Sequence, residues 1–159
     1  MDDEDIAVSP WFVLAESTEH CWSCGSNTRV FAVLLPDPND RSGMSTTTGD
    51  EAFDYAPCSL TNISSLNRQA EEYLRQISSK WYPDYSGTAG HTYWMNHCEN
   101  CSSKIGDFYL HSKPAHAFFP VSDDELDRIR LTKVDIEIRA EAGWGQSGWI
   151  DDLLEATKF

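Results

Sequence analysis

The sequence predicts an α+β fold: an antiparallel sheet carrying two cysteine knuckles distant in the chain, one main amphipathic helix packed against it, and a short C-terminal helix. Three observations carry this. Cys21 and Cys24 form a C-x2-C pair flanked by strand-like runs, Cys98 and Cys101 repeat that plan, and helical apolar spacing lies between the two pairs. At 159 residues the chain has the length of one domain, so 1–159 is read as a single unit. Within it, 1–9 is read as an acidic, mobile N-terminus and 36–57 as a loop or mobile insertion.

Taken in order, "WFVLA" (Trp11 to Ala15) is apolar, aromatic and β-branched, which suits a strand. After the first cysteine pair, "GSNT" supplies turn chemistry, and "RVFAVLLP" reads as a second, buried strand stopped by Pro36. The stretch from Pro36 to Pro57 is rich in Pro, Gly, Ser, Thr and Asp, with apolar residues too sparse to bury a face. Leu60, Ile63, Leu66, Ala70, Tyr73, Leu74 and Ile77 then recur at helical spacing, predicting an amphipathic helix over 60–79. "HTYWMNH" reads as a strand leading into the second pair. "IGDFYLH" reads as the strand leaving it, with Ile105, Phe108 and Leu110 toward a core and a bulge near Gly106 to absorb the imperfect alternation. "PAHAFFPVS" is an irregular connector. Ser122 followed by Asp123, Asp124 and Glu125 marks a short helix, because a hydroxyl cap and early acids suit the positive end of the helix dipole. "RLTKVDIEIRA" alternates as a strand, and a glycine-rich turn precedes a terminal helix carrying Trp149, Ile150, Leu153 and Leu154.

Composition narrows the function classes. Forty per cent apolar residues, including 6 Trp, 6 Tyr and 7 Phe, is incompatible with a disordered chain. The longest uninterrupted apolar run, Val30 to Leu35, falls far short of the roughly 18 residues a membrane-spanning helix needs. The opening "MDDEDIAVSP" has neither a basic nor an apolar leader segment, so the thiols are expected in a reducing cytoplasm. Net charge is −14: residues 1–60 hold 11 acids against 2 bases, 61–119 hold 5 against 5, and 120–159 hold 10 against 5. That sign repels the nucleic-acid backbone and attracts basic proteins.

Four of the five cysteines fall in the two C-x2-C pairs. A structural zinc ion takes four tetrahedral ligands, and each C-x2-C turn presents two thiolates to one ion. A thioredoxin-like couple would place its motif at a helix N-terminus, whereas Gly25 leads into turn residues and a strand. A disulfide within one pair would close a very small loop, and disulfides are rare in cytosolic chains. The expected ligands are therefore Cys21, Cys24, Cys98 and Cys101 around one Zn2+, and the repeated strand, knuckle, strand plan is that of a zinc ribbon. The 73 residues separating Cys24 from Cys98 exceed the usual interval, so helix and loop are inserted between the halves of the ribbon. His20 and His97, each just before a first cysteine, are alternative ligands, but four thiols suffice and an imidazole beside the site is favoured for both. Cys58 reads as a buried apolar thiol.

"HCWSCGSNTRVFAVLLP" and "YWMNHCENCSSKIGDFYLHSKPAHAFFP" resemble an uncharacterised bacterial protein family with a split zinc ribbon. The resemblance spans Trp11 to Leu35 and Tyr93 to Pro120, about a third of the chain, through the patterns C-W-x-C-G, N-H-C-x-x-C and G-D-F-x-L-H. It implies a cytoplasmic bacterial zinc-ribbon protein with the four cysteines as ligands, and carries no activity with it.

No G-K-[ST] accompanies the glycines of "AGWGQSGW", so a phosphate cradle is not expected. His91, His97, Asp107, His111 and His116 crowd one third of the chain without matching a catalytic spacing. The expected function is that of a non-enzymatic, acidic, zinc-binding protein that occupies a basic protein partner, one version being an immunity protein (antitoxin) against a bacterial toxin. A nucleic-acid-associated zinc-ribbon module is the alternative, and requires Arg68, Arg75, Lys80 and Lys104 to form one patch. A metal-dependent enzyme built on the histidine-rich region is the third reading.

Overall fold

The computed structural model describes residues 5–36 and 57–157. In chain order these form β1 (Asp5–Ser9), β2 (Phe12–His20), β3 (Asn27–Leu35), β4 (Cys58–Leu66), α1 (Arg68–Ile77), β5 (Trp81–Ser86), β6 (His91–His97) and β7 (Lys104–Ile105). They continue with α2 (Asp107–Ser112), α3 (Asp123–Asp127), β8 (Arg130–Val134), β9 (Ile138–Gly145) and α4 (Gly148–Thr157). The fold is α+β with antiparallel pairing throughout: a six-stranded sheet in the order β1-β9-β4-β3-β2-β8 and a three-stranded sheet β5-β6-β7.

The large sheet is strongly curled, as its connections require. Ser9 at the end of β1 and Phe12 at the start of β2 are three Cα steps apart, about 11 Å at full extension. These strands lie four positions apart in the sheet, about 19 Å if it were flat. Val134 to Ile138 makes the same short jump from β8 back to β9. Both links close because the two ends of the sheet approach one another. Phe12, Leu14, Phe31, Val33, Ile138 and Ala140 pack together inside the curl, sealed by Leu74 of α1 and by Trp81 and Trp94 of the small sheet. Alternate residues of β2 and β3, among them Val13, Ala15, Val30, Ala32 and Leu34, face a second core under Leu110, Phe118 and Ile150. Burial on both faces explains why "VFAVLL" reads as an unbroken apolar run.

Several expectations are corrected. The helix expected over 60–79 begins at Arg68, and 58–66 is strand β4. Leu60, Ile63 and Leu66 are three apart by coincidence, while "TNISS" is poor helix former and β4 gains ladder partners on both β3 and β9. Asn62 takes φ 51, and the β4–β9 register breaks between Thr61 and Ser65, which accommodates the irregular spacing. The strand expected over "IGDFYLH" ends at Ile105 of β7, and the rest from Asp107 is helix α2: Ile105 and Leu110 are buried, Phe108 points to solvent, and Asp107 is the buried acid. The predicted strand over "RLTKVDIEIRA" is two, β8 and β9, on opposite sides of the sheet. Residues 5–9, expected to be mobile, form edge strand β1 paired to β9. Most of the 36–57 insertion lies outside the described residues. Among the described residues no helix is long and apolar enough to cross a membrane.

Candidate metal centre

The first knuckle joins β2 to β3 in the large sheet, whereas the second joins β6 to β7 in the small one. The expected single ribbon sheet is thus two sheets meeting at their cysteine turns. Their geometry is the same. In the first, Cys21 N donates to Ser26 O at 2.9 Å and Gly25 N to Cys21 O at 2.9 Å. In the second, Cys98 N donates to Ser103 O at 2.9 Å and Ser102 N to Cys98 O at 2.8 Å. The fifth residue of each motif is left-handed, Gly25 at φ 79 and Ser102 at φ 65, because the chain must reverse there to bring both sulfurs to one side.

The four sulfurs of Cys21, Cys24, Cys98 and Cys101 lie within 4.8 Å of one another. Cys21 Sγ stands 3.6 Å from Cys101 Sγ, and Cys24 Sγ 3.7 Å from Cys98 Sγ. A disulfide would need about 2 Å. Thiolates about 2.3 Å from a tetrahedral ion stand about 3.8 Å apart, so these contacts have the dimensions of the edges of a four-sulfur cage. The close pairs run between knuckles, so one ion would tie the two sheets together. Among the described residues this is the one group of three or more potential ligands brought together, and it could hold a metal ion.

Donors surround the sulfurs. Ser23 N and Cys24 N approach Cys21 Sγ at 3.3 and 3.5 Å, Asn100 N approaches Cys98 Sγ at 3.3 Å, and Asn100 Nδ2 reaches Cys24 Sγ at 3.4 Å. Cys101 Sγ lies 3.2 Å from Ser103 Oγ. The Asn100 amide, with Ser26 assisting, brings the exposed Cys24 thiol down to about 6, and Ser103 lowers Cys101. Burial raises Cys98. Each knuckle therefore pairs one buried sulfur with one exposed sulfur.

Polar ties hold the knuckles in register before any ion is considered. Arg29 Nη2 meets Glu99 Oε2 at 2.7 Å, Glu99 N donates to Thr28 Oγ1 at 2.9 Å, and Trp22 Nε1 donates to Lys104 O at 2.7 Å. Asn96 makes the deepest tie. The β3–β4 ladder begins at Val33, leaving the Phe31 edge open, and Asn96 fills it with two bonds: Phe31 N to Oδ1 at 2.9 Å and Nδ2 to Phe31 O at 3.0 Å.

The neighbouring histidines take other partners. His97 faces Lys80 O through Nδ1 at 3.2 Å and Asp84 Oδ2 through Nε2 at 2.7 Å, so neither nitrogen is left for a metal. His20 Nδ1 lies 3.3 Å from Gly25 O. Cys58 is fully buried and its thiol is pushed up to about 12 by burial, as an inert core cysteine should be. The histidine-rich third does not converge: His116 pairs with buried Glu19 at 2.9 Å, His111 Nδ1 lies 3.2 Å from Ser59 Oγ, and His97 sits behind Tyr82. Asp107 and His111 do lie close, because helix α2 places them one turn apart. The donors Asn100 and Ser103 were also missed, although aligning "CWSCGS" on "CENCSS" points to them.

No protein-family model matches the chain, and no curated protein or solved structure is significantly similar to it.

Proposed function

We propose that this is a non-enzymatic protein that holds one structural Zn2+ on Cys21, Cys24, Cys98 and Cys101 and uses its acidic surface to occupy a basic protein partner. The zinc reading rests on the cage dimensions and on the chemistry of the donor set: four thiolates in tetrahedral array suit zinc, and iron is the competing ion. Such an ion closes a loop of more than 70 residues, so its binding energy is coupled to folding. Metal analysis of protein purified without chelator should find one zinc per chain, and cobalt substitution should give the spectrum of tetrahedral sulfur ligation. Protein that folds stably with no bound metal would overturn this part.

The partner reading rests on the charge of −14. Asp123, Asp124 and Asp127 of α3 and Asp151, Asp152 and Glu155 of α4 are exposed, and both helices are attached to the same sheet face through Ile129 and Ile150. Fields of this kind accelerate association with cationic proteins. An immunity protein that neutralises a cationic toxin of bacterial origin is the version suited to the charge and small size of the chain, and a cytoplasmic setting suits the reduced thiols. The cations needed by the nucleic-acid alternative have other partners: Arg68 and Arg75 pair with Glu72 and Glu71 on their own helix, Lys80 donates to Ser102 Oγ and Lys104 to Tyr85 O. Capture from a lysate of the host at low ionic strength should yield a stoichiometric basic protein, released by salt. Replacing Asp123, Asp124 and Asp127 with Asn should weaken the complex. Recovery of no such protein would refute the reading.

A further inference from the structure

Apart from the metal centre, the small sheet, α2 and Thr61 and Asn62 of β4 line an open cleft of about 720 Å3. That is the size of a small-molecule site. Its floor is built with care. Asp107 is 7% exposed; its Oδ2 accepts from Asn62 N at 2.7 Å, and its own N donates to Tyr93 Oη at 2.9 Å. Asn62 makes its bond from the left-handed region, at φ 51, so β4 departs from regular strand geometry to meet this carboxyl. Gly106 lets Tyr93 approach: a Cβ there would sit 3.2 Å from Tyr93 Oη.

The walls are apolar, formed by Met95, Tyr93, Tyr109 and the outward-facing Phe108. Charge distinguishes the cavity from the rest of the molecule. In a chain of net charge −14, its lining holds two lysines, Lys104 and Lys113, against one acid, Asp107. Lys104 donates to Tyr85 O at 2.7 Å and stands 3.8 Å from Asp84, whereas Lys113 is exposed and has no acidic partner among the described residues. Burial favours the uncharged form of the Asp107 carboxyl, and also of the His111 imidazole beside it. A ligand entering here meets an apolar wall and, at an exposed position of the lining, the positive charge of Lys113.

We propose that this cavity binds a small amphipathic organic anion, its apolar body between Met95, Tyr93 and Phe108 and its acidic group at Lys113. The site is separate from the cysteine cage and independent of the partner reading. A direct probe is 8-anilinonaphthalene-1-sulfonate, an aromatic anion that fluoresces in apolar surroundings, titrated into the full-length, zinc-loaded protein. Saturable one-to-one binding is expected, with amide resonances of Asn62, Tyr93 and Phe108 shifting in 1H–15N spectra. Lys113→Glu, on an exposed side chain that folding does not require, should weaken binding of the sulfonate at least fivefold and leave the uncharged N-phenyl-1-naphthylamine unchanged. Absence of binding, shifts confined to other regions, or equal loss of both probes in Lys113→Glu would overturn the proposal.

Discussion

Asp107 and His111 lie one turn apart on α2, and their burial pushes them in opposite directions, which makes the pH dependence of stability a sharp test of how this region is packed. Burial raises the Asp107 carboxyl from an ordinary 3.8 to about 7, although the Asn62 amide pulls the other way. Burial lowers the His111 imidazole from 6.5 to about 4. Between pH 3.8 and 7 the folded protein therefore keeps a proton on Asp107 that the unfolded chain has lost, and stability falls as pH rises. Between pH 4 and 6.5 the unfolded chain protonates His111 and the folded protein does not, so stability rises with pH. Shifts of about 3 and about 2.5 units correspond to about 4 and about 3 kcal/mol, so in the native protein the two trends largely cancel up to pH 6.5. Asp107→Asn keeps an acceptor for Asn62 N and removes the titration. Urea unfolding followed by tryptophan fluorescence at fixed zinc, compared with the native protein at each pH, should show the variant gaining about 3 kcal/mol in relative stability from pH 5 to pH 8, the part of the window lying above pH 5. Taking the difference at each pH removes contributions common to both proteins, including the metal ligands. In His111→Asn the relative gain should instead appear as pH falls below 6.5. A difference for Asp107→Asn that stays flat across this range, or narrows, would show that the carboxyl is solvated and the packing of α2 wrongly described.

Removing the metal with a chelator should sharply lower the thermal midpoint and raise amide exchange in β6, β7 and both knuckles, because the ion would join two sheets otherwise tied by a few polar bonds. Cys24→Ser should abolish stoichiometric metal binding, whereas Cys58→Ala should retain it, since Cys58 lies in the apolar core; equal metal content in both variants would contradict the assignment. Asn96→Leu should cost about 2–4 kcal/mol in equilibrium unfolding, because Phe31 N and O are then buried without partners. Gly25→Ala should cost about 1–2 kcal/mol through backbone strain at φ 79 alone, as nothing lies within 4 Å of the added methyl; no loss in a denaturant titration would show that the turn relaxes.

Much of the site was legible in the sequence because cysteine spacing is local chemistry: a C-x2-C turn brings two sulfurs together whatever the rest of the chain does. The pattern of "RVFAVLLP", the capping serine at Ser122 and the terminal helix were likewise readable from side-chain preferences over a few residues. Tertiary partners decided the rest. "SLTNISSL" carries helical spacing yet is strand β4, since ladder bonds on both sides outweigh the weak propensities of Ser, Thr and Asn. "DFYLH" is helical and buries its acid because Asn62, far away in sequence, holds the carboxyl. Whether two knuckles 73 residues apart meet at all could not be read from either one alone; it depends on the large sheet curling and on Asn96 completing the open edge at Phe31, contacts between residues whose sequence separation hides them.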